Sequence, residues 1–537
     1  MSKTLKNPWI AVALVVGFMQ VWANRFYMAY DGISYLDMGD AYLRGDWHTA
    51  INGYWNPLYS WVLGIGLFIL RPSAYWEYPA VQLINFGIYA ATVAAFEYFL
   101  RGLLQEREDA TTIRIIAYAL FLWTSLELIR VWMVNPDMLV AASVYSAFGL
   151  LLRAPAKWTP IALAAALAAG YYAKAVMFPI GLMVLLIGWA VLPRRQALVA
   201  TVAFTLLSAP LIVVLSGSSG HLTIGDTSRL NYSWYVNGVE SRRFWQGGPA
   251  KAGKPQHPPR VVVDSPRVYE FGNVFPVTYP VWYDPSYWLR GLQVWLDPSQ
   301  LMHKMRSNAK GVAKLLVCQG GGFLLGWALC FLLQKDKSVP TRLIPALLAW
   351  SASIAAIVLY CLVHAEPRHL GAFAAVLFLV PFTVIHIPGK RLAATVAGLG
   401  LVWAACFYSV TTTQGERFRP WARTPENVSW QVANSLHHLG LTAGDKVASV
   451  CCDVIQNVRW ARLARAHVVA EVDCNASFWR LSEADRQRVL AALLSSGAKW
   501  AISDEPPPAS EPAVGWQRVG LTNYYVYSLS DHIESKN

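Results

Sequence analysis

The chain has 537 residues, of which 55% are hydrophobic and only 14% charged, and its mean hydropathy is positive. Most of such a chain cannot fold as a water-soluble protein, and the composition is that of a polytopic membrane protein. The net charge of +13 does not call for nucleic acid, because the basic residues stand in short clusters between apolar segments, the positive-inside pattern.

Lys3 and Lys6 precede an apolar run from Pro8 to Ala23. It is read as a retained first membrane helix rather than a cleaved signal peptide, since it anchors the loop that follows. That loop, Tyr30 to Leu63, carries four aspartates and a histidine (Asp31, Asp37, Asp40, Asp46 and His48) just outside the helix. Pro57 to Leu70 is apolar but shorter than the ~20 residues that cross an average bilayer, so it is predicted to be interfacial. Further spans are predicted at Pro79 to Leu100, Ile115 to Val134, Met138 to Leu152, Pro160 to Ala175, Met177 to Leu192, Ala197 to Leu215, Val312 to Leu333, Leu343 to Val363, Gly371 to Ile387 and Leu392 to Val410. The total is about eleven transmembrane helices. With Pro57 to Leu70 left out, the clusters Arg101 to Arg114, Arg153 to Lys157, Arg194 with Arg195, Lys335 to Arg342, and Lys390 with Arg391 share the cytoplasmic side with the N-terminus. The opposite side then gathers the Asp31 loop, Asn135-Pro136-Asp137, Lys174, the loop from Gly217 to Met302, His364 to His369 and the tail after Val410.

Taken singly, Asp37, Asp40 and Asp46 read as caps of a surface helix. Asn135-Pro136-Asp137 suits a helix start, with proline in the first turn and aspartate favoured by the helix dipole. Glu127 and Arg130, three apart near the outer end of the preceding helix, are spaced to pair. Lys174, in GYYAKAVMFPIG, is either a lysine snorkelling to the interface or a ligand for an anion. Arg368, in His364-Ala-Glu-Pro-Arg-His369, has the planar fork that grips phosphate in a bidentate way.

Asp31, the aromatic Tyr35, Gly45-Asp46-Trp47 and the Pro-aromatic run together resemble the first external loop of the GT-C glycosyltransferases. The likeness is strongest to lipid A aminoarabinose transferases and protein O-mannosyltransferases. The resemblance implies a GT-C type polytopic α-helical membrane protein of the inner (plasma) membrane, with Asp31 as catalytic base and Asp137 as a second acidic residue facing it. It also implies Lys174 and Arg368 as ligands of the donor and leaving phosphate, with Tyr35, His364 and Glu366 beside them. His364, Glu366 and His369 either orient Arg368 or are hydrated residues at a helix end. The implied reaction is inverting transfer from a polyprenyl-phosphate sugar donor to an external glycolipid, glycan or protein acceptor. No cofactor is expected, and no metal, since the Trp-Trp-Asp signature of the metal-using oligosaccharyltransferase branch is absent. Two residues depart from the pattern: Ala175 stands where the family often has glycine, and Asn56 where close relatives carry a charged residue or histidine. A lipid-linked sugar flippase or other transporter, and a glycan polymerase or ligase, are the competing functions.

The loop from Gly217 to Met302 is rich in Pro, Gly and aromatics, among them Trp234, Tyr235 and Trp282, and is assigned to covering the cavity and selecting the acceptor. Pro285 to Lys310 is expected to include an interfacial helix. Residues 1–410, with external loops 25–78 and 217–302, are read as the transmembrane catalytic domain, and 411–537 as an external (periplasmic) soluble α/β domain. There Lys446 to Val450, His467 to Val472, Lys499 to Ser503, Gln517 to Leu521 and Tyr524 to Leu529 are predicted strands, Val454 to Arg465 and Glu483 to Ser496 helices, and the sheet mainly parallel. Cys474 is expected to pair with Cys451 or Cys452 in an oxidising compartment.

Overall fold

The computed structural model describes residues 7–530 apart from 106, 240–242, 273, 335–342, 388, 412–425, 451–453, 474–477 and 509–513. The expected cysteine pairing therefore lies outside the described residues. The first helices are α1 (Pro8–Ala23), α2 (Tyr30–Arg44), α3 (Trp47–Ala50), α4 (Leu58–Leu70) and α5 (Glu77–Leu103). Next come α6 (Ala110–Leu122), α7 (Asp137–Leu151), α8 (Thr159–Ala173), α9 (Met177–Val191) and α10 (Arg194–Ser219). The long loop contributes α11 (Thr227–Tyr235), the hairpin β1 (Arg260–Asp264) and β2 (Arg267–Glu270), α12 (Pro280–Tyr283) and α13 (Pro285–Trp288). Four helices follow: α14 (Pro298–Leu333), α15 (Leu343–Val363), α16 (Pro367–Phe382) and α17 (Lys390–Thr411). The tail adds α18 (Val428–His438), β3 (Lys446–Ser449), α19 (Val454–Ala464), β4 (His467–Val472), α20 (Glu483–Ser495), β5 (Trp500–Ser503), β6 (Trp516–Arg518) and β7 (Tyr525–Ser528).

Each of the eleven predicted spans falls on a helix, although Ile115 to Val134 stops being helical at Ile129 and Gly371 to Ile387 at Phe382, and the chain is a polytopic α-helical membrane protein with a C-terminal α/β region. Among the described residues six helical runs are long and apolar enough to cross a bilayer: Ala74–Leu103, Ala110–Ile129, Arg194–Ser219, Pro298–Leu333, Leu343–Val363 and Lys390–Tyr408. The remaining predicted spans are apolar helices of 15 or 16 residues, about 23 Å long against a hydrocarbon core of about 30 Å. Leu186 on α9, Leu206 and Val213 on α10 and Leu332 on α14 are exposed, as an apolar surface facing lipid requires. Inside, Phe96, Phe99, Phe121 and Tyr145 pack as one aromatic cluster between α5, α6 and α7. Helices α14 and α17 cross where Gly322 meets Gly400, so closely that a Cβ on Gly322 would lie 3.0 Å from the Gly400 Cα. Small residues permit such an approach in a membrane, where packing rather than water drives helix association.

The interfacial helix expected within Pro285 to Lys310 does not stand alone. Its basic stretch is the outer end of α14, a 36-residue helix that at 1.5 Å per residue is about 54 Å long and overshoots the bilayer. Glu127 does not sit on an α-helical face with Arg130 either. It lies on a π-helical turn, Trp123–Ile129, and Arg130 follows with a left-handed φ of 66°. The guanidinium there faces the rings of Trp132 and Tyr408, each 5.8 Å from its centre.

Among the described residues the sheet has seven strands in the order β1-β2-β4-β3-β5-β7-β6. Only β3 with β4 and β3 with β5 are parallel, and the other four pairs are antiparallel among the described residues, which corrects the mainly parallel expectation. Its parallel centre is the β-α-β unit, but β6 and β7 return by a short turn and must pair antiparallel. The hairpin from the long loop extends the other edge, with Val268 opposite Val472. One sheet thus joins the loop between α10 and α14 to the tail after α17.

Candidate active site

Four helix ends converge on one cavity. Asp31 stands in the first turn of α2, Asp137 is the first residue of α7, Lys174 follows the last residue of α8, and Glu366 and Arg368 open α16. Local sequence accounts for each placement. Asn135 accepts a hydrogen bond from the Asp137 amide at 3.0 Å, capping α7 in place of the proline that cannot. Glu366 and His369 form a reciprocal capping box around Pro367.

The cavity has a volume of about 280 Å³. Asp31, Tyr35, Asp137, Lys174, Arg368 and Tyr360 line it, and the loop adds Tyr235 and Trp282. Lys174 Nζ lies 2.5 Å from Asp137 Oδ1. Arg368 sits among three carboxylates: its Nε donates to Glu366 Oε2 at 2.6 Å and lies 3.8 Å from Asp137 Oδ2, and its Nη1 lies 3.7 Å from Asp31 Oδ2. The other Asp31 oxygen accepts a hydrogen bond from the Trp282 indole at 3.0 Å. His364 Nε2 lies 2.7 Å from Glu366 Oε1, and the His364 ring stacks on Tyr235 at 4.0 Å. Tyr35 is buried and packs on Trp55 and Tyr59.

The three carboxylates are not equivalent. Asp137 is held in a close ion pair, whereas Asp31 has one neutral donor and a distant guanidinium. Burial pushes the Asp31 carboxyl above the ordinary range, against the opposing pull of Arg368 and the Trp282 bond. Burial acts on Glu366 in the same sense, but Arg368 and His364 overcome it and hold that carboxyl well below its usual range. Asp31 is thus the carboxylate in this cavity with the strongest appetite for a proton.

Two further polar groups on the cavity wall, Asn135 Nδ2 and Tyr360 Oη, are buried without a hydrogen-bond partner among the described residues. An unmet buried polar group costs about 1–3 kcal/mol, and a polar ligand would meet both. Tyr360 had no signal in the sequence beyond lying near the end of an apolar helix, and Trp282 was one aromatic among many in its loop.

The aspartates after Asp31 divide. Asp46 caps α3 by accepting from the Thr49 amide at 3.2 Å. Asp37 and Asp40 are not caps: Arg462 Nη1, from α19, reaches Asp37 at 2.8 Å and Asp40 at 2.6 Å, while its Nε reaches Glu77 at 2.7 Å. Among the described residues no group of three or more His, Cys, Asp or Glu side chains is arranged to hold a metal ion.

No protein-family model matches the sequence, and no curated protein matches it. Among solved structures, the chain is similar to ArnT from Cupriavidus metallidurans in the apo state, at 13% identity and a TM-score of 0.41. It is similar also to ArnT from Cupriavidus metallidurans bound to undecaprenyl phosphate, at 14% identity and a TM-score of 0.44. Both alignments cover 98% of this chain and 98% of the other.

Proposed function

We propose that the protein is an inverting glycosyltransferase of the GT-C type, moving a sugar from a polyprenyl-phosphate donor to an external glycolipid, glycan or protein acceptor. The observation that carries this reading is the pairing, in one cavity, of a weakly neutralised carboxylate, Asp31, with a guanidinium and an ammonium, Arg368 and Lys174. Lipid-phosphate sugar transfer needs that combination. Asp31 takes the proton from the acceptor's nucleophile, which attacks the anomeric carbon. The bond from that carbon to the phosphate oxygen breaks, and its electron pair leaves with the polyprenyl phosphate. Arg368 and Lys174 stabilise the charge developing there, and Asn135 Nδ2 and the Tyr360 hydroxyl complete the contacts. A single displacement inverts the anomeric configuration.

The placement of these groups favours an enzyme over a transporter. Transporter sites are built near the bilayer midplane from interrupted helices, whereas all five charged groups here stand at helix ends. The test is transfer by the purified protein in lipid nanodiscs, from a panel of polyprenyl-phosphate sugars to a cell-envelope extract. Asp31→Asn is expected to lower transfer roughly 100-fold or more, the scale of a lost general base. Wild-type turnover is expected to fall on the acid side at a pH above the ordinary aspartate range, because transfer needs Asp31 ionised and its pKa is raised. Full activity in Asp31→Asn overturns the mechanism.

A further inference from the structure

Arg462 is buried, lines no part of the catalytic cavity, and belongs to the C-terminal region, yet its three carboxylate partners sit on α2 and at the start of α5. Arg465 adds a contact to Glu77 at 2.5 Å. Asp37 is held a second time, by the segment Thr278 to Trp282. Thr278 donates to it through its amide at 2.8 Å and its hydroxyl at 2.9 Å. About one turn back along α2, Ser34 donates to the Trp282 carbonyl at 3.1 Å, and about one turn further the Trp282 indole donates to Asp31. Asp31, Ser34 and Asp37 follow one another at a spacing of three and so lie along one stripe of the helix. The segment is strapped to that stripe from end to end.

The far side of the strap belongs to the tail. The Val468 amide donates to the Thr278 carbonyl at 2.9 Å, His467 Nδ1 lies 2.8 Å from the Val277 carbonyl, and the Tyr279 hydroxyl donates to Glu471 at 2.6 Å. β4 and α19 therefore hold both the strap and the helix it binds.

We propose that Arg462 is a positioning residue for Asp31, acting through Asp37 and the Thr278–Trp282 strap, so that docking of the C-terminal region sets the catalytic carboxylate. The proposal rests on the reading of Asp31 as the base. Arg462 makes three charged contacts through two nitrogens of one rigid guanidinium, Nη1 to Asp37 and Asp40 and Nε to Glu77, an arrangement lysine cannot reproduce although it keeps the charge. With Arg462→Lys the grip on Asp37 slackens, the strap loses its register, and the Trp282 indole leaves Asp31. Complete removal of the buried cation would instead strip Asp37 and Asp40 of their charge partner and leave Glu77 to Arg465 alone, destabilising the region as a whole, so lysine is the informative variant.

The test reads Asp31 itself and needs no substrate. Full-length protein is labelled with a water-soluble carbodiimide and glycine ethyl ester between about pH 4 and 9, spanning the carboxyl range, and Asp31 modification is mapped by mass spectrometry. Arg368, Lys174, Glu366 and Tyr30 face Asp31 and are the same in every variant. Trp282→Phe is expected to raise the Asp31 midpoint by about half a unit or more, since it deletes a bond to the charged form. Arg462→Lys is expected to raise it in the same direction, and the double variant no further than Trp282→Phe alone, because both act through one bond. An unchanged midpoint in folded Arg462→Lys, or additive shifts in the double variant, overturns the proposal. So does a Trp282→Phe midpoint equal to wild type. Failure of the glycosyltransferase reading would show separately, as full transfer by Asp31→Asn.

Discussion

Lys174 and Arg368 differ in what each has left to offer a phosphate. Lys174 places its ammonium against Asp137, while Arg368 commits its Nε to Glu366 and turns Nη1 toward Asp31 across the cavity. Arg368→Lys is therefore expected to weaken binding of a polyprenyl phosphate about tenfold or more despite keeping the charge. Titration calorimetry in nanodiscs measures this, and unchanged affinity would reduce Arg368 to a helix-end residue. A second group titrates outside the cavity lining. Glu471 on β4 is fully buried, and burial, only partly countered by Arg243, pushes its carboxyl up to about 7. Its folded form holds a proton that the unfolded form releases, so stability is full at low pH and falls as pH rises from about 4.5 to 7, by at most about 1.4 kcal/mol per pH unit. Glu471→Gln should flatten the dependence of the thermal midpoint over that window. Sequence made Asp31, Asp137, Lys174 and Arg368 visible because a charge at the edge of an apolar segment is conspicuous. It hid Trp282, Tyr360 and Arg462, whose roles depend on contacts with residues far away along the chain.

Helices were legible by hydropathy, and strands β3 to β7 fall within a few residues of their expected places. The hairpin Arg260–Glu270 was not predicted, since each strand is short and its stabilising neighbour, β4, comes from another part of the sequence. At the scale of the element, α2 depends on its contact with α4. A Cβ on Gly39 would lie 2.8 Å from the Ser60 carbonyl and 3.2 Å from the Gly64 Cα, both backbone atoms that cannot swing aside. Gly39→Ala is expected to cost about 1–3 kcal/mol by overpacking and to lower the thermal midpoint. Gly87→Ala, where a Cβ would meet nothing within 4 Å, is the control expected to leave it unchanged.

Across the whole molecule, two contacts constrain the membrane topology. Arg462 binds Asp37 and Asp40 before α4 and Glu77 after it, so both ends of that 13-residue helix lie on one face. Had α4 crossed, the six residues from Arg71 to Trp76 would need to return over a core of about 30 Å, and fully extended they reach only about 20 Å. The β2–β4 pairing likewise places the long loop and the tail on one side, which an even number of crossings by α14 to α17 satisfies. Both contacts fit a non-crossing α4 and a loop and tail that share one side, and with the N-terminus proposed to be cytoplasmic that side is the external one. A phosphatase reporter fused after Leu529 is expected to be active, and the same reporter in the segment 104–109 inactive. The reverse result would invert the molecule.

The shared sheet also dictates an order of assembly. β2 leaves the ribosome roughly 200 residues before its partner β4, which at about 5–20 residues per second is a wait of some 10–40 seconds. During that interval the hairpin presents an unpaired strand edge outside the bilayer, the kind of surface that recruits the wrong partner. Completion of the sheet therefore reports that four further helices have been inserted, and the segment after α17 closes the structure around the loop that follows α1.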